Sequence, residues 1–263
     1  MKITFIGGGN MASAIIGGLV ASGRAGSCIT VIDPNPKKLV RLEGDHGVNV
    51  SADFSDAAAA DIIVLAVKPQ FIADVAFQLT VELSGKLIIS IAAGVTTATL
   101  ERLFGPIAIA RTMPNTPALL RLGATGLYLN DRTTDVQRAE AEAIIEAFGI
   151  CVTVAREDFL DAVAAVSGSG PAYYFLMIEE MIRAGTTLGL APEDAKALTL
   201  QTALGAAAMA AQGDPPEELR ARVTSPNGTT HAAIVSMQEN GFGELITKAM
   251  GVCCDRAEEL GKA

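Results

Sequence analysis

The segment Gly-Gly-Gly-Asn-Met-Ala at residues 7–12 constrains the fold of this chain more than any other stretch of it. It follows a short β-branched run, Ile3–Ile6, and precedes residues 11–22, whose apolar side chains have helical spacing. In the pattern G-x-G-x-x-A, Gly7 permits a tight turn, Gly9 lets a phosphate approach the backbone, and Ala12 allows helix and strand to pack closely. Because the free N–H groups and the dipole of a helix N-terminus attract a pyrophosphate, the sequence predicts a strand–turn–helix unit that binds a dinucleotide. A glycine-rich turn without a ligand is the alternative.

Alternating strands and helices are predicted for the first half of the chain. The predicted strands are Ile3–Ile6, Ile29–Ile32 and residues 61–67, 86–92, 107–110, 126–129 and 151–154, with helices at residues 11–22 and 71–83. The runs at 61–67 and 86–92 are almost continuously apolar, as in strands that are buried on both faces of a sheet. This alternation predicts an α/β fold with a parallel sheet and helices on both of its faces.

Only helical segments are predicted after about residue 155, and glycine or proline separates them. They cover residues 159–166, 173–188, 192–212, 216–223, 230–240 and 242–260. We therefore predict a dinucleotide-binding domain at residues 1–156 and an all-helical domain at residues 157–263. The helix around residues 198–211 carries alanine and glycine on several faces and must be buried, which favours contact with a second subunit over the interior of a monomeric bundle.

Charge and cysteine content exclude several classes of partner. The 20 basic and 29 acidic side chains give a net charge of −9, which disfavours a nucleic-acid partner. The four cysteines form no C-x-x-C pair and there are two histidines, so we expect neither a zinc site nor a disulfide framework, and a reducing cytoplasm is the default location. The apolar runs are too short or carry a charge, so no membrane-spanning segment is predicted.

The choice between NAD and NADP depends on residues that follow the second predicted strand. A carboxylate at Asp33 suits a ribose 2′-hydroxyl and opposes a 2′-phosphate. The next residues argue the other way, because Asn35 could donate to a phosphate and Lys37 or Lys38 could offset its charge. NADPH and NADH therefore both remain open, with NADPH slightly favoured.

Two further strand ends are candidate contacts for the dinucleotide. Residues 66–69 (Ala-Val-Lys-Pro) follow one buried strand, and residues 92–94 (Ala-Ala-Gly) follow the next. Ligands of open α/β sheets bind at the carboxyl ends of the strands. The small side chains at 92–94 would let a flat nicotinamide ring lie close, although plain tight packing explains them equally well.

The helical half contains two segments rich in glycine and hydroxyl side chains, at residues 167–171 (SGSGP) and 225–230 (SPNGTT). Each precedes a predicted helix, so the hydroxyls can cap it, while Gly228, Thr229 and Thr230 present backbone N–H groups. Either segment could be an ordinary cap. Together they indicate an anion pocket made of neutral donors, which would suit a small carboxylate substrate.

Five segments together resemble the pyrroline-5-carboxylate reductase family: FIGGGNMASAIIGGL, AVKPQ, RTMPNTPA, VSGSGPAYYF and VTSPNGTTHAAI. The resemblance covers essentially the whole chain in the same order. It implies a Rossmann-type N-terminal domain and a C-terminal helical domain that builds a homodimer, sometimes a larger ring of dimers. It also implies NAD(P)H-dependent reduction of 1-pyrroline-5-carboxylate to L-proline, the last step of proline synthesis.

The resemblance also assigns site residues. The cofactor residues would be Ile6, Gly7, Gly8, Gly9, Asn10, Met11, Asn35, Ala66, Val67, Lys68, Pro69, Ala92, Ala93 and Gly94. The substrate residues would be Ser225, Gly228, Thr229 and Thr230, with the Thr230 hydroxyl as the catalytic partner of the ring nitrogen. The chain departs from the family at Asn227, where glycine is usual, and at Asp33, where a neutral residue is expected.

Two other functions are alternatives to this one. A β-hydroxyacid dehydrogenase would place a lysine on the long helix after its glycine-rich segment, whereas residues 171–175 here are Pro-Ala-Tyr-Tyr-Phe. A dinucleotide-binding regulator without catalysis would have little need of a hydroxyl-rich pocket.

Overall fold

A computed structural model describes residues 1–262, which divide into two compact units. The first unit comprises Met1–Ser169 together with the residues from Cys253 onward, and the second comprises Gly170–Val252. The first unit contains all the strands that the structure assigns within residues 1–262, whereas the second is helical.

The strands of the first unit form one eight-stranded sheet within the described residues. Their order is β3-β2-β1-β4-β5-β6-β7-β8. The strands are β1 (Ile3–Ile6), β2 (Ile29–Ile32), β3 (Asn49–Ser51), β4 (Ile62–Leu65), β5 (Leu87–Ser90), β6 (Ala108–Met113), β7 (Gly123–Leu129) and β8 (Gly149–Thr153).

Helices cover both faces of this sheet. Those of the first unit are α1 (Asn10–Ala21), α2 (Pro36–His46), α3 (Ile72–Gln78), α4 (Thr97–Phe104), α5 (Asp135–Glu146) and α6 (Phe159–Val163), and a π-helical turn at Ala164–Gly168 follows α6. The second unit contains α7 (Gly170–Thr187), α8 (Pro192–Ala210), α9 (Pro216–Arg222), α10 (Thr229–Glu239) and the start of α11 (Phe242–Lys262), whose end belongs to the first unit. No helix within residues 1–262 combines the length and the apolar character needed to cross a membrane.

The two-residue period of the strands builds two separate hydrophobic cores. On one face Ile3 and Phe5 of β1 pack with side chains of α1 and α5, such as Ile15 and Ile144. On the other face Ile6 belongs to a cluster that includes side chains of α3 and α4. Both faces of β1, β4 and β5 are thus buried, which is why their sequences are continuously apolar.

The predicted parallel sheet is confirmed for β1 to β6 but needs correction at one edge. Strand β7 pairs antiparallel with β6, and β8 pairs parallel with β7. The chain between β6 and β7 contains only a short 3₁₀ helix at Thr116–Leu120, which is too little for the crossover that a parallel pair needs. The predicted helix at residues 71–83 is also shorter than expected, because α3 ends at Gln78.

The compact units divide the chain at a different place from the sequence-based boundary between residues 156 and 157. Helix α6 and the π-helical turn pack against the sheet: a Cβ added to Gly126 would lie 2.7 Å from Val163 Cγ1, and one added to Gly168 would lie 2.5 Å from Met113 Cε. Residues 157–169 therefore belong physically to the first unit. The end of α11 also returns to it, with the Leu260 carbonyl oxygen 3.1 Å from the Cβ position of Gly94.

Glu157 connects α4 and β6 to the segment before α6. No motif in the sequence points to this residue. Its carboxylate accepts hydrogen bonds from the backbone N–H of Thr97 (2.7 Å) and from the Thr97 hydroxyl (2.6 Å), at the N-terminus of α4. It also pairs with Arg111 of β6 at 2.8 Å, and the side chains of Arg111 and Glu157 are 9% and 22% exposed. The pair is largely withdrawn from water, so loss of either partner leaves a poorly solvated charge.

We predict that Glu157→Ala lowers the free energy of unfolding by about 3 kcal/mol, because Arg111 would stay buried without its counterion. The matched control is Glu180→Ala, which removes one partner of the exposed Arg183–Glu180 pair and should cost less than about 1 kcal/mol. Urea denaturation at one fixed protein concentration measures both values. Equal losses in the two variants would contradict the structural role of Glu157.

Candidate functional site

The carboxyl ends of β1 and β4 meet at the centre of the sheet, where the strand order reverses direction. Strand β1 lies between β2 and β4, so the chain runs outward from β1 on one side and resumes at β4 on the other. The Gly7 N–H donates to the Ile32 carbonyl (2.7 Å), and the Ala66 N–H donates to the Ile6 carbonyl (2.8 Å). Such a switch point is where open α/β sheets bind their ligands.

Gly7 is required at this point by both its conformation and its surroundings. Its φ is +104°, which L side chains rarely adopt, and a Cβ there would lie 2.6 Å from the Ala66 carbonyl oxygen. The absence of a side chain therefore lets the turn after β1 lie directly against the end of β4. The predicted role of Gly7 as the tight-turn glycine is consistent with this geometry.

The N-terminus of α1 has the features of an anion site. Gly9 is the N-cap residue, and no side chain caps the helix or places a negative charge in its first turn. A Cβ added to Gly9 would meet no atom within 4 Å, so the space in front of this backbone is open. The first N–H groups of α1 and the positive end of its dipole thus face open space, as an anion site at a helix N-terminus requires.

Asp33 is buried beneath this turn and is fully engaged by the protein. Its Oδ2 accepts hydrogen bonds from the Gly8 N–H (2.8 Å) and the Lys38 ammonium (3.0 Å), and its Oδ1 accepts one from the Asn35 N–H (2.8 Å). Burial alone would raise the pKa of the Asp33 carboxyl, but these hydrogen bonds and the nearby Lys38 charge outweigh it and hold the pKa below its ordinary value. Asp33 is therefore ionised at neutral pH.

The other predicted cofactor segments lie at the ends of neighbouring strands on the same edge. Ala66 and Val67 follow β4 and are half-buried, with Val67 Cγ1 3.1 Å from the Cβ position of Gly7, whereas Lys68 and Pro69 are exposed. Ala92 lies buried after β5, and Ala93 is exposed beside it. Gly94 has a φ of +76° and lies against the Leu260 backbone, so packing accounts for this glycine.

The structure thus brings most of the predicted cofactor residues to one edge of the sheet. Residues 6–11, 66–69 and 92–94 follow the adjacent strands β1, β4 and β5, while Asn35 follows β2 and is exposed. Asn35 caps α2, since its side chain accepts a hydrogen bond from the Lys37 N–H (3.0 Å). The contacts of these residues with a cofactor stay a prediction.

In the second unit, the predicted substrate residues Ser225 and Gly228 lie in a tight loop before α10, and Thr229 and Thr230 are the first residues of the helix. The Gly228 N–H donates to the Ser225 carbonyl (3.0 Å), and Gly228 is the N-cap residue of α10. Asn227 has a φ of +60°, the left-handed conformation that asparagine tolerates better than most residues. The loop therefore keeps a glycine-like backbone despite this departure from the family pattern.

The hydroxyls of this loop do not cap the helix. No side chain caps α10, and Ser225, Thr229 and Thr230 are exposed. The N-terminal N–H groups of α10 and three hydroxyls are therefore available as neutral donors to a ligand.

The other hydroxyl-rich segment begins in a π-helical turn and ends at the start of α7, which begins at Gly170. In the π-helical turn, the Ser167 hydroxyl donates to the Val163 carbonyl of the preceding turn (3.1 Å). Asn115 holds the same turn by donating from its amide to the Ser167 carbonyl (2.9 Å). Ser167 is thus held by hydrogen bonds to α6 and to Asn115. Within residues 1–262, no group of three or more histidine, cysteine, aspartate or glutamate side chains is arranged to hold a metal ion.

Comparisons with known proteins give consistent results for both halves of the chain. Residues 157–260 match the family model described as pyrroline-5-carboxylate reductase dimerisation, and residues 2–94 match the one described as NADP oxidoreductase, coenzyme F420-dependent. The chain is 48% identical to the pyrroline-5-carboxylate reductase of Pseudomonas aeruginosa, over 99% of this chain and 97% of the relative.

Solved structures give the same result. The pyrroline-5-carboxylate reductase structure from Coxiella burnetii is 44% identical and has a TM-score of 0.96, covering 100% of this chain and 99% of the other. The Plasmodium falciparum pyrroline carboxylate reductase, solved with NADP bound, is 30% identical with a TM-score of 0.86, covering 99% and 98%.

We predict that alanine at Gly9 weakens cofactor binding, whereas alanine at Gly7 lowers the stability of the fold. Gly9→Ala should leave the free energy of unfolding within about 0.5 kcal/mol of the wild type, because its methyl group enters open space and its φ is ordinary. The same methyl group would obstruct a phosphate and raise the dissociation constant for NADPH about tenfold, or ~1.4 kcal/mol. Gly7→Ala should instead destabilise the fold by at least ~2 kcal/mol, since its Cβ collides with backbone.

Urea denaturation and fluorescence titration with NADPH measure the two effects separately. If Gly9→Ala bound NADPH as tightly as the wild type, the N-terminus of α1 would not be the phosphate site.

Proposed function

The chain belongs to the pyrroline-5-carboxylate reductase family, and we propose that it reduces 1-pyrroline-5-carboxylate to L-proline with NADPH or NADH, the last step of proline synthesis. It is accordingly an NAD(P)-dependent oxidoreductase that acts on a carbon–nitrogen bond. The observation that carries this proposal is a similarity that spans the whole chain. The proposal is also supported by the glycine turn after β1, the uncapped N-terminus of α1 and the loop before α10.

The first unit holds the cofactor in this proposal. Residues 6–11 would hold the pyrophosphate through the N–H groups of α1, and Asn35 would donate near the adenosine ribose. The strand ends at 66–69 and 92–94 would contact the rest of the dinucleotide. The small side chains at 92–94 leave room for the nicotinamide ring. When bound, the reduced cofactor supplies a hydride from its nicotinamide C4.

The loop before α10 holds the substrate. Ser225, Gly228 and Thr229 offer hydroxyl and backbone N–H donors to the substrate carboxylate, with no need of an arginine. The Thr230 hydroxyl hydrogen-bonds the ring nitrogen, which orients the C=N bond. As the hydride adds to the carbon, the electron pair of the C=N bond moves to the nitrogen, whose proton is retained in the amine product.

A strong catalytic acid is not required for this reaction. A protonated imine is already a good electrophile, so the protein mainly orients the two reactants and excludes water. This agrees with predicted substrate residues that carry hydroxyls and N–H groups rather than a histidine or lysine.

We further propose that two copies associate through the helical unit. Helix α8 exposes large apolar side chains at Leu198, Leu200 and Leu204, which are 58%, 45% and 63% exposed in the single chain. Leu200 and Leu204 are four residues apart and share one face of the helix. Such a surface is typical of an interface, and the family model that matches residues 157–260 describes dimerisation. A cytoplasmic location is a proposal that rests on the cysteine content.

The reaction is tested by following the loss of NADPH or NADH absorbance with 1-pyrroline-5-carboxylate. Parallel assays use the carbonyl product of 3-hydroxyisobutyrate, the substrate expected of a β-hydroxyacid dehydrogenase. Turnover of the cyclic imine alone supports the proposal. Turnover of the hydroxyacid's carbonyl product alone, or binding of the cofactor without any turnover, would refute it.

We predict that Thr230→Ala lowers kcat/KM by the equivalent of about 1–3 kcal/mol, or roughly 5- to 150-fold, because one hydrogen bond to the reacting nitrogen is lost. Thr230→Ser retains the hydroxyl and should recover most of the activity. Steady-state kinetics with both variants measure this. Unchanged kcat/KM in Thr230→Ala would remove Thr230 from the site.

We predict that Leu204→Asp shifts the protein towards monomers, because a charge is placed within the apolar face of α8. Phe77→Asp is the control, since Phe77 is 86% exposed in α3 of the first unit. Light scattering coupled to size-exclusion chromatography gives the masses. A dimer that persists in Leu204→Asp would argue against α8 as part of the interface.

A further inference from the structure

We infer that Lys38 sets the cofactor preference of this enzyme, by cancelling the charge of Asp33 so that a 2′-phosphate is accepted. The inference rests on the proposed function, because it concerns the same dinucleotide site. The sequence leaves the preference between NADPH and NADH open, and Lys38 is the residue that would decide it.

The Asp33 carboxylate is directed towards the protein itself. An acidic residue at the end of the second strand normally accepts hydrogen bonds from the ribose 2′-hydroxyl of NAD. Here its Oδ2 accepts from the Gly8 N–H and the Lys38 ammonium, while its Oδ1 accepts from the Asn35 N–H. The carboxylate thus joins the turn after β1 to the turn after β2 and is used as an internal acceptor.

Lys38 covers Asp33 at this position. The Asp33 side chain is 4% exposed, whereas that of Lys38 is 43% exposed, and the two are paired at 3.0 Å. A group at the adenosine ribose therefore encounters the ammonium more readily than the carboxylate. Paired in this way, the two side chains carry no net charge.

Asn35 lies at the same turn and is exposed. Its side-chain oxygen already caps α2 by accepting from the Lys37 N–H, so only its amide nitrogen can donate to a ligand. A donor next to a neutralised carboxylate fits a phosphate monoester. Without Lys38, the buried negative charge of Asp33 would repel that phosphate.

The test compares the ratio of the dissociation constants of NADPH and NADH in four proteins, measured by fluorescence titration. Lys38→Gln should weaken NADPH binding about tenfold and change NADH binding less than twofold. Arg41→Gln removes the same charge from an exposed position one turn further along α2 and should leave both constants within about twofold. The double variant Asp33→Asn, Lys38→Gln is neutral again and should recover most of the lost NADPH preference.

The ratio of the two dissociation constants is insensitive to general damage to the turn, because such damage would raise both constants alike. Titrations with 2′,5′-ADP and ADP repeat the comparison without the nicotinamide half, and circular dichroism verifies folding. An unchanged ratio in Lys38→Gln, an equal effect of Arg41→Gln, or a loss that the double variant fails to recover would each overturn the inference. Wild-type turnover of 1-pyrroline-5-carboxylate tests the proposed function independently of these ratios.

Discussion

The carbonyl oxygen of Ala66 lies only 2.6 Å from the point where any residue other than glycine at position 7 would place its Cβ. This close approach joins the end of β1 to the end of β4, the two strands between which the sheet changes direction. Because the chain can turn so tightly there, α1 begins only four residues after β1 ends, and its uncapped N-terminus is held at the edge of the sheet. The cofactor site that we propose depends on this one backbone contact.

Much of the first unit could be predicted from the sequence because its strands are buried on both faces. Continuous apolar runs predicted β1, β2, β4 and β5, and the glycine pattern predicted the turn and the helix that follow β1. The reversed direction of β7 was not predicted. Strand direction depends on how the chain crosses between strands, and residues 123–129 carry no local signal for it.

Polar contacts between residues far apart in the chain could not be predicted from the sequence either. Glu157 belongs to a segment that looks like a solvated domain boundary, yet its partners Thr97 and Arg111 are 60 and 46 residues away. The same holds for Asp33, whose position matched a familiar motif while its hydrogen bonds go to the protein itself. A motif predicts where a side chain lies, whereas its partners depend on the three-dimensional packing.

The loop before α10 shows the reverse case, in which local chemistry was informative. The left-handed conformation of Asn227 agrees with the tolerance of asparagine for that region, and it keeps the loop shape that a glycine would give. Of the two alternatives that the sequence left open for the nearby hydroxyls, capping of α10 is not observed, because Gly228 occupies the N-cap position and no side chain caps the helix. Sequence patterns thus located the hydroxyl groups but not whether they are hydrogen-bonded to the helix.

The chain leaves the first unit after Ser169 and returns at Cys253, and these two residues touch, since the Cys253 thiol donates to the Ser169 hydroxyl at 3.2 Å. Residues 170–252 are therefore an insertion into a nucleotide-binding fold rather than an appendage at its end. The two units are nevertheless not independent modules, because α11 runs unbroken from Phe242 to Lys262 across the boundary between them. Trimming the carboxyl terminus would therefore damage the first unit, because the last turns of α11 are part of it.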